Sequence, residues 1–349
     1  CSSDLKVETM QVNKISSDNS NFTGLLNNKV LLKGLEKVSE HGTSFAAGTS
    51  LVMSLGVRPF AILATPDVEK ENKQYACANS ICSGLIKFAM IEAVALPIEN
   101  AVKNIDKNPK KYLKPETIKN LQGASQKLVE AKSYKLSTQM MKLGTGFVTA
   151  IPKSILTIAL IPVIMDKLFN IKKDKHPQKL QDKNKDINFT GRFTNNISKG
   201  IGKIIDNFKF QNFVKKHQNQ DKDIAKHITA ATDILLTSSF AYQTNKSDKI
   251  KENRKKALIY NNVISTGITI IGGYGIDNII KNKTGKFIEK FSKINKGDPK
   301  LHKYIEGINI VRPALIFAGI YYGILPIFST YMAERIDKYI ISKNPEGNK

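Results

Sequence analysis

The chain has no tryptophan, and its 349 residues include only five arginines and three cysteines. Each shortage excludes something. Base-edge reading and bidentate phosphate clamping rely on the arginine fork, so nucleic-acid recognition is not expected despite a formal net charge of +24. Cys1, Cys77 and Cys82 make neither a disulfide framework nor a zinc pattern. Cys77 and Cys82 lie inside an apolar segment, where small core residues are expected. The five histidines, His41, His176, His217, His227 and His302, sit in polar segments without metal-ligand spacing. No Gly-x-x-x-x-Gly-Lys loop occurs. Gly272-Gly273-Tyr274-Gly275 lies in an apolar run with no Lys-Ser/Thr after it, so close helix packing is its reading. Sustained alternation and Asn-Gly or Asp-Gly turns are missing too, which leaves strands without support. The expectation is a non-enzymatic protein with no cofactor and no metal site.

What the chain does have is lysine and long apolar runs. Ala257–Ile276 and Pro313–Ala333 hold no charged residue, and both reach the roughly 20 residues needed to cross a bilayer core. Leu143–Met165 carries only Lys153, and Gly42–Thr65 only Arg58. Gln74–Pro97 is interrupted by Lys87 and Glu92, and the short Ile228–Tyr242 contains Asp233. Between these runs lie lysine-rich segments, notably Lys103–Lys135, Lys172–Lys226 and Lys281–Lys303. Such segments suit anionic headgroups. With six crossings both membrane faces are strongly basic, so the positive-inside rule selects no orientation.

The same marks occur twice in the same order. Asn21-Phe22-Thr23-Gly24 returns as Asn188-Phe189-Thr190-Gly191, and Glu71-Asn72-Lys73 as Glu252-Asn253-Arg254. Ile98-Glu99 and Ile276-Asp277 each precede an Asn-x-x-Lys-Asn, Asn100–Asn104 and Asn278–Asn282. Gly146 stands before Pro152 as Gly307 stands before Pro313, and Asp166-Lys167 matches Asp337-Lys338. This order points to a duplication over residues 21–187 and 188–349, after a polar, disordered segment of residues 1–20. Each half opens with a basic amphipathic stretch. Leu31, Leu32, Leu35 and Val38 form one apolar face, and Ile197, Ile201, Ile204, Ile205 and Phe208 the other. A start at Cys1 rather than methionine fits a fragment or a processed product.

The expected fold is therefore all-α: a polytopic helical membrane protein of two duplicated halves, with three apolar helices per half plus amphipathic interfacial helices. Three crossings per half would insert the halves in opposite orientation. Ionisable groups inside spans face a bundle interior or a water-filled cavity, so Arg58, Lys87, Glu92, Lys153 and Asp233 are the candidate site residues. Lys87 and Glu92 point about 140° apart on a helix, so each needs a partner from another segment. Aligning Phe60-Ala61 with Phe240-Ala241 sets Met53 opposite Asp233 and Ser238 opposite Arg58, so these charges belong to one half each. Pro152, Pro162, Pro313 and Pro326 are expected to break the hydrogen-bond ladder within spans. Two functions fit: a transporter- or channel-like protein, or a membrane scaffold that holds anionic lipid or an acidic partner through its lysine-rich loops.

Overall fold

The computed structural model describes residues 24, 26–66, 70–169, 191–220, 222–246 and 252–328. About 90% of it is helical, and no strand occurs among the described residues. The segment 1–20, the boundary at 187/188 and the Asp337-Lys338 mark lie outside them. Thirteen α-helices carry the argument: α1 Lys29–Glu40, α2 Gly42–Val52, α3 Arg58–Ala64, α4 Lys70–Lys107, α5 Pro109–Tyr112, α6 Pro115–Gln122, α7 Lys132–Leu143, α8 Thr145–Phe169, α9 Gly191–Ile205, α10 Phe208–His217, α11 Ile224–Lys246, α12 Glu252–Ile294 and α13 Leu301–Ala318.

Five stretches are long and apolar enough to cross a membrane: Gly42–Ala64, Ala76–Lys107, Lys132–Leu160, Ile259–Ile294 and Leu301–Phe328. In none of their most apolar windows is more than 39% buried. α11 has 23 residues and lies alongside them, but it falls short in apolarity, with Asp233 in its middle. Among the described residues the second half therefore offers two such stretches rather than three.

Two π-helical segments interrupt the rods. Met53–Val57 joins α2 to α3, and Gly319–Ile324 follows α13. Each stands two residues before a proline, Pro59 and Pro326. A proline has no N–H for the carbonyl four residues back and its ring crowds that carbonyl. A wider turn accommodates both problems. Pro152 and Pro162 lie within α8, and Pro313 within α13. Those helices run on through them without ending, each proline leaving one hydrogen bond of the ladder unmade. Neighbouring turns keep the helix while one hydrogen bond is missing.

Contacts fix the direction of every rod. Gly42 packs on Ile310 and Val57 on Gly323, so α2–α3 and α13 run parallel. Gly146 packs on Thr232, and the Ser154 and Ser239 hydroxyls meet at 2.5 Å, so α8 and α11 run parallel. α4 opposes α2, with Glu99 beside Thr43 and Ser80 beside Ser54. α12 opposes α11 and α13, with Asp277 beside Lys226 and Arg312. Within the bundle the equivalent helices of the two halves thus run the same way, whereas three crossings per half imply opposite insertion. The beginnings of α2, α8, α11 and α13 share one end of the bundle, called the head here.

The amphipathic helices lie at that head, and protein covers part of their apolar faces while Leu31, Ile204 and Phe208 stay exposed. α1 buries Leu32 and Leu35 against Phe291 and Tyr304, which belong to α12 and α13. α9 buries Ile201 and Ile205 against Val102, Ile105 and Tyr134, which belong to α4 and α7. Each helix clamps the opposite half of the chain. Gly307 allows α13 to meet the Leu35 carbonyl, and a Cβ there would lie 2.3 Å from that oxygen.

Candidate functional site

Four of the five candidate charges meet in the middle of the bundle. Lys153 is 5% exposed and shares an electrostatic neighbourhood with Lys87 and Asp233. Arg58 follows the first π segment, and its guanidinium carbon stands 5.3 Å from the ring centroid of Tyr321, in the second π segment. Tyr321 in turn lies near Lys87 and Asp233. The pieces come from α3, α4, α8, α11 and the turn after α13. Lys87 and Lys153 thus face the Asp233 carboxyl, and Arg58 faces the Tyr321 phenol beside them. The buried Arg58 Nε and the Thr157 hydroxyl, one turn along from Lys153, lack hydrogen-bond partners. Glu92 lies elsewhere, nearest Ser44, His41 and Glu99, and its Oε1 is unpartnered.

The π geometry places Arg58. The Ser54 hydroxyl donates to the Ser80 carbonyl at 3.0 Å, and the Ser80 hydroxyl donates to the Ser54 carbonyl at 2.9 Å. A π turn disturbs the backbone ladder, and Ser80 supplies a donor for one of its carbonyls. Pro152, one residue before Lys153, is exposed, and Pro313 and Pro326 are buried.

Sequence reasoning missed a second set of groups. Glu99 and Asp277, the acids that precede the two Asn-x-x-Lys-Asn marks, are both fully buried. Glu99 accepts from the Thr43 N–H at 2.8 Å, the Ser44 N–H at 3.1 Å and the Ser44 hydroxyl at 2.8 Å. It thereby satisfies orphan donors at the start of α2 and meets the positive end of that helix. His41 Nδ1 lies 3.1 Å from its other oxygen side. Asp277 sits near the start of α11 instead, accepting from Lys226 at 2.6 Å and from Arg312 Nε at 2.7 Å. Arg312 also reaches Asp223 at 3.3 Å, and Lys281 reaches Asp223 at 2.6 Å. The repeated acid was the available signal, but both residues stand just beyond the run of apolar residues and so escaped a search for charges within it.

The head holds an ion-pair knot around a cavity of about 30 Å³ lined by Glu40, Glu99, Asp106, Lys142, Lys303 and Glu306, among others. That is room for about two water molecules. Lys142 Nζ donates to the Ser39 carbonyl at 2.5 Å and to Glu306 at 3.1 Å. Glu40 accepts from Lys103 and from Lys303, both at 2.6 Å. Burial pushes the Glu40 carboxyl up, but the two lysines outweigh it and hold its pKa at about 2.

No known family, curated protein or solved structure matches the chain. The chemistry of the cluster therefore rests on its own geometry. Among the described residues no three His, Cys, Asp or Glu side chains stand together to hold a metal ion. Cys77 is half-buried and Cys82 buried, both as free thiols. Gly273 sits against the Phe317 ring, a helix contact rather than a nucleotide loop.

Proposed function

We propose that the chain is a multi-pass membrane protein without enzymatic activity, transporter- or channel-like, that passes a small anion through the mid-bundle cluster. One observation carries the reading: Lys87 and Lys153 converge on a single carboxyl, Asp233, and Arg58 stands over the neighbouring Tyr321 ring. Three cations, one of them buried and two half-buried, are costly in apolar surroundings unless an anion visits them. The two π segments at the cluster support the reading, because such turns occur often at functional sites.

Membrane residence is supported by an apolar belt. Val52, Phe60, Val148, Ile271, Ile279 and Phe328 are between 56% and 77% exposed and come from four of the five apolar stretches. Each would leave about 1.5–3 kcal/mol of burial unrealised in water. A belt on every side suits lipid, whereas a single protein partner would cover one face. Duplication of the halves is supported by the two buried acids, each lying against the start of its own half's first long helix, and by the reciprocal clamping of α1 and α9. Anionic lipid is the partner we propose for exposed lysines at the head, such as Lys33, Lys110 and Lys111.

The test is flux from proteoliposomes loaded with chloride, inorganic phosphate or succinate. At least one anion should leave faster than from protein-free vesicles. Lys87→Met and Lys153→Met should each slow it by about tenfold or more, since 1.4 kcal/mol is tenfold. Retention of all three anions, or unchanged flux in both variants, would contradict the reading.

A further inference from the structure

We propose that each anion crosses together with a proton, which Glu92 receives from the head through a relay of His41, Glu99 and Ser44. The relay deepens the anion reading above and rests on it. Of the charges within the apolar runs, Glu92 is the one that stands apart from the cluster. Its Oε1 is buried with no hydrogen-bond partner among the described residues. A buried carboxyl without a donor is suited to carrying a proton, because its neutral form needs no counter-charge. Within the described residues the second half has no counterpart. Seven residues before Asp277 stands Ile270, and Asp277 meets Lys226 and Arg312 rather than an imidazole and a hydroxyl. The packing at the head therefore does not by itself require a carboxyl at Glu92.

The geometry lays out the path. α4 carries Glu92, Glu99 and Asp106 at seven-residue intervals, and seven residues fall just short of two helical turns. The three carboxyls thus follow one face of α4 from the bundle towards the head. Ser44 and His41 are neighbours of both Glu99 and Glu92. The Ser44 hydroxyl donates to Glu99 Oε2 at 2.8 Å, and His41 Nδ1 lies 3.1 Å from the same oxygen. The His41 side chain is 29% exposed and that of Glu99 not at all, so the relay begins at solvent and leads inward. A proton on His41 Nδ1 passes to Glu99 Oε2. Ser44 Oγ takes it from there and releases its own hydroxyl proton to Glu92, and each donor then returns to its starting state. Glu99 also faces Thr43 and Lys142, and with Asp106 it lines the water-sized head cavity, a hydrated approach to the same oxygen pair. Lys87 lies five residues further from the head, about 7.5 Å along the helix axis. An anion on its way to Lys87 and Lys153 passes the level of Glu92. An ionised carboxyl there repels it and a protonated one does not, so proton and anion travel as a pair.

The experiment uses the full-length chain in proteoliposomes with chloride, inorganic phosphate or succinate at equal concentration on both sides. Potassium and valinomycin clamp the membrane potential at zero. A gradient of one pH unit, acid outside, should concentrate the transported anion inside by up to about tenfold, and a trapped pH dye should show the lumen acidifying as the anion enters. Glu92→Gln should abolish the accumulation while downhill flux continues. Ser44→Ala, which interrupts the relay, should slow accumulation by about tenfold or more, and Ser44→Thr should restore it. Downhill flux without accumulation in the unaltered protein, or undiminished accumulation after Glu92→Gln, overturns the relay and leaves the anion reading standing. Loss of downhill flux in Glu92→Gln also overturns it, by placing that carboxyl in the anion path. If no anion crosses at any pH, the anion reading itself falls, and the relay with it.

Discussion

Asp277 and Glu99 occupy equivalent marks in the sequence yet neutralise different donors, and that difference sets what their loss costs. Asp277→Asn leaves Lys226 and Arg312 buried with only Asp223 for charge compensation. Breaking a buried pair from one side costs about 3–5 kcal/mol. Glu99→Gln keeps an acceptor oxygen for the Thr43 and Ser44 amides, so about 1–3 kcal/mol is expected. Denaturant unfolding in detergent should rank Asp277→Asn as the more damaging change, and the reverse order would contradict the assignment. Glu40 supplies a pH dependence. Its folded pKa of about 2 lies below its ordinary 4.5, so its contribution is fully present above about pH 4.5 and fades as pH falls through about 2. Asp223, also held low against burial by Lys281, Lys226 and Arg312, acts in the same direction. Removing the carboxylate with Glu40→Gln should flatten the loss of stability over that window. An unchanged acid limb would show that the two lysines do not hold it.

At the scale of elements, glycines report where helices touch. Gly307 faces the Leu35 carbonyl with no room for a methyl group, whereas nothing stands within 4 Å of a Cβ at Gly48 in α2. Overpacking usually costs about 1–3 kcal/mol, while alanine for glycine inside an open helix gains about 0.5–1 kcal/mol. Gly307→Ala should therefore lower the unfolding temperature in detergent and Gly48→Ala should raise it. Equal shifts would mean that α1 does not sit tightly on α13. The rods themselves were legible in the sequence because apolar runs such as Ala257–Ile276 reveal length and apolarity directly. Irregularities were less so. Pro152, Pro162 and Pro313 drew attention as breaks, but the π turns lie before Pro59 and Pro326, where packing of Ser54 on Ser80 absorbs the change. Amphipathicity showed that α1 and α9 have an apolar face without showing what covers it. Lipid and protein select the same pattern, and only the contacts with Phe291 and Tyr134 decide between them.

For the whole molecule, Lys87 and Lys153 illustrate what one sequence withholds. Each stood out as a charge in an apolar run, but nothing in their spacing says that antiparallel α4 and parallel α11 bring them to Asp233. All of this depends on lipid around the belt, and the absence of tryptophan makes that accessible to a direct measurement. Single tryptophans at Phe60→Trp and Ile271→Trp, positions 76% and 77% exposed, would be the only indole emitters in the protein. In liposomes of lipids brominated on the acyl chains, both should be strongly quenched, and Lys110→Trp at the head should not. Equal emission at all three positions, with or without bromine, would contradict a lipid-facing belt.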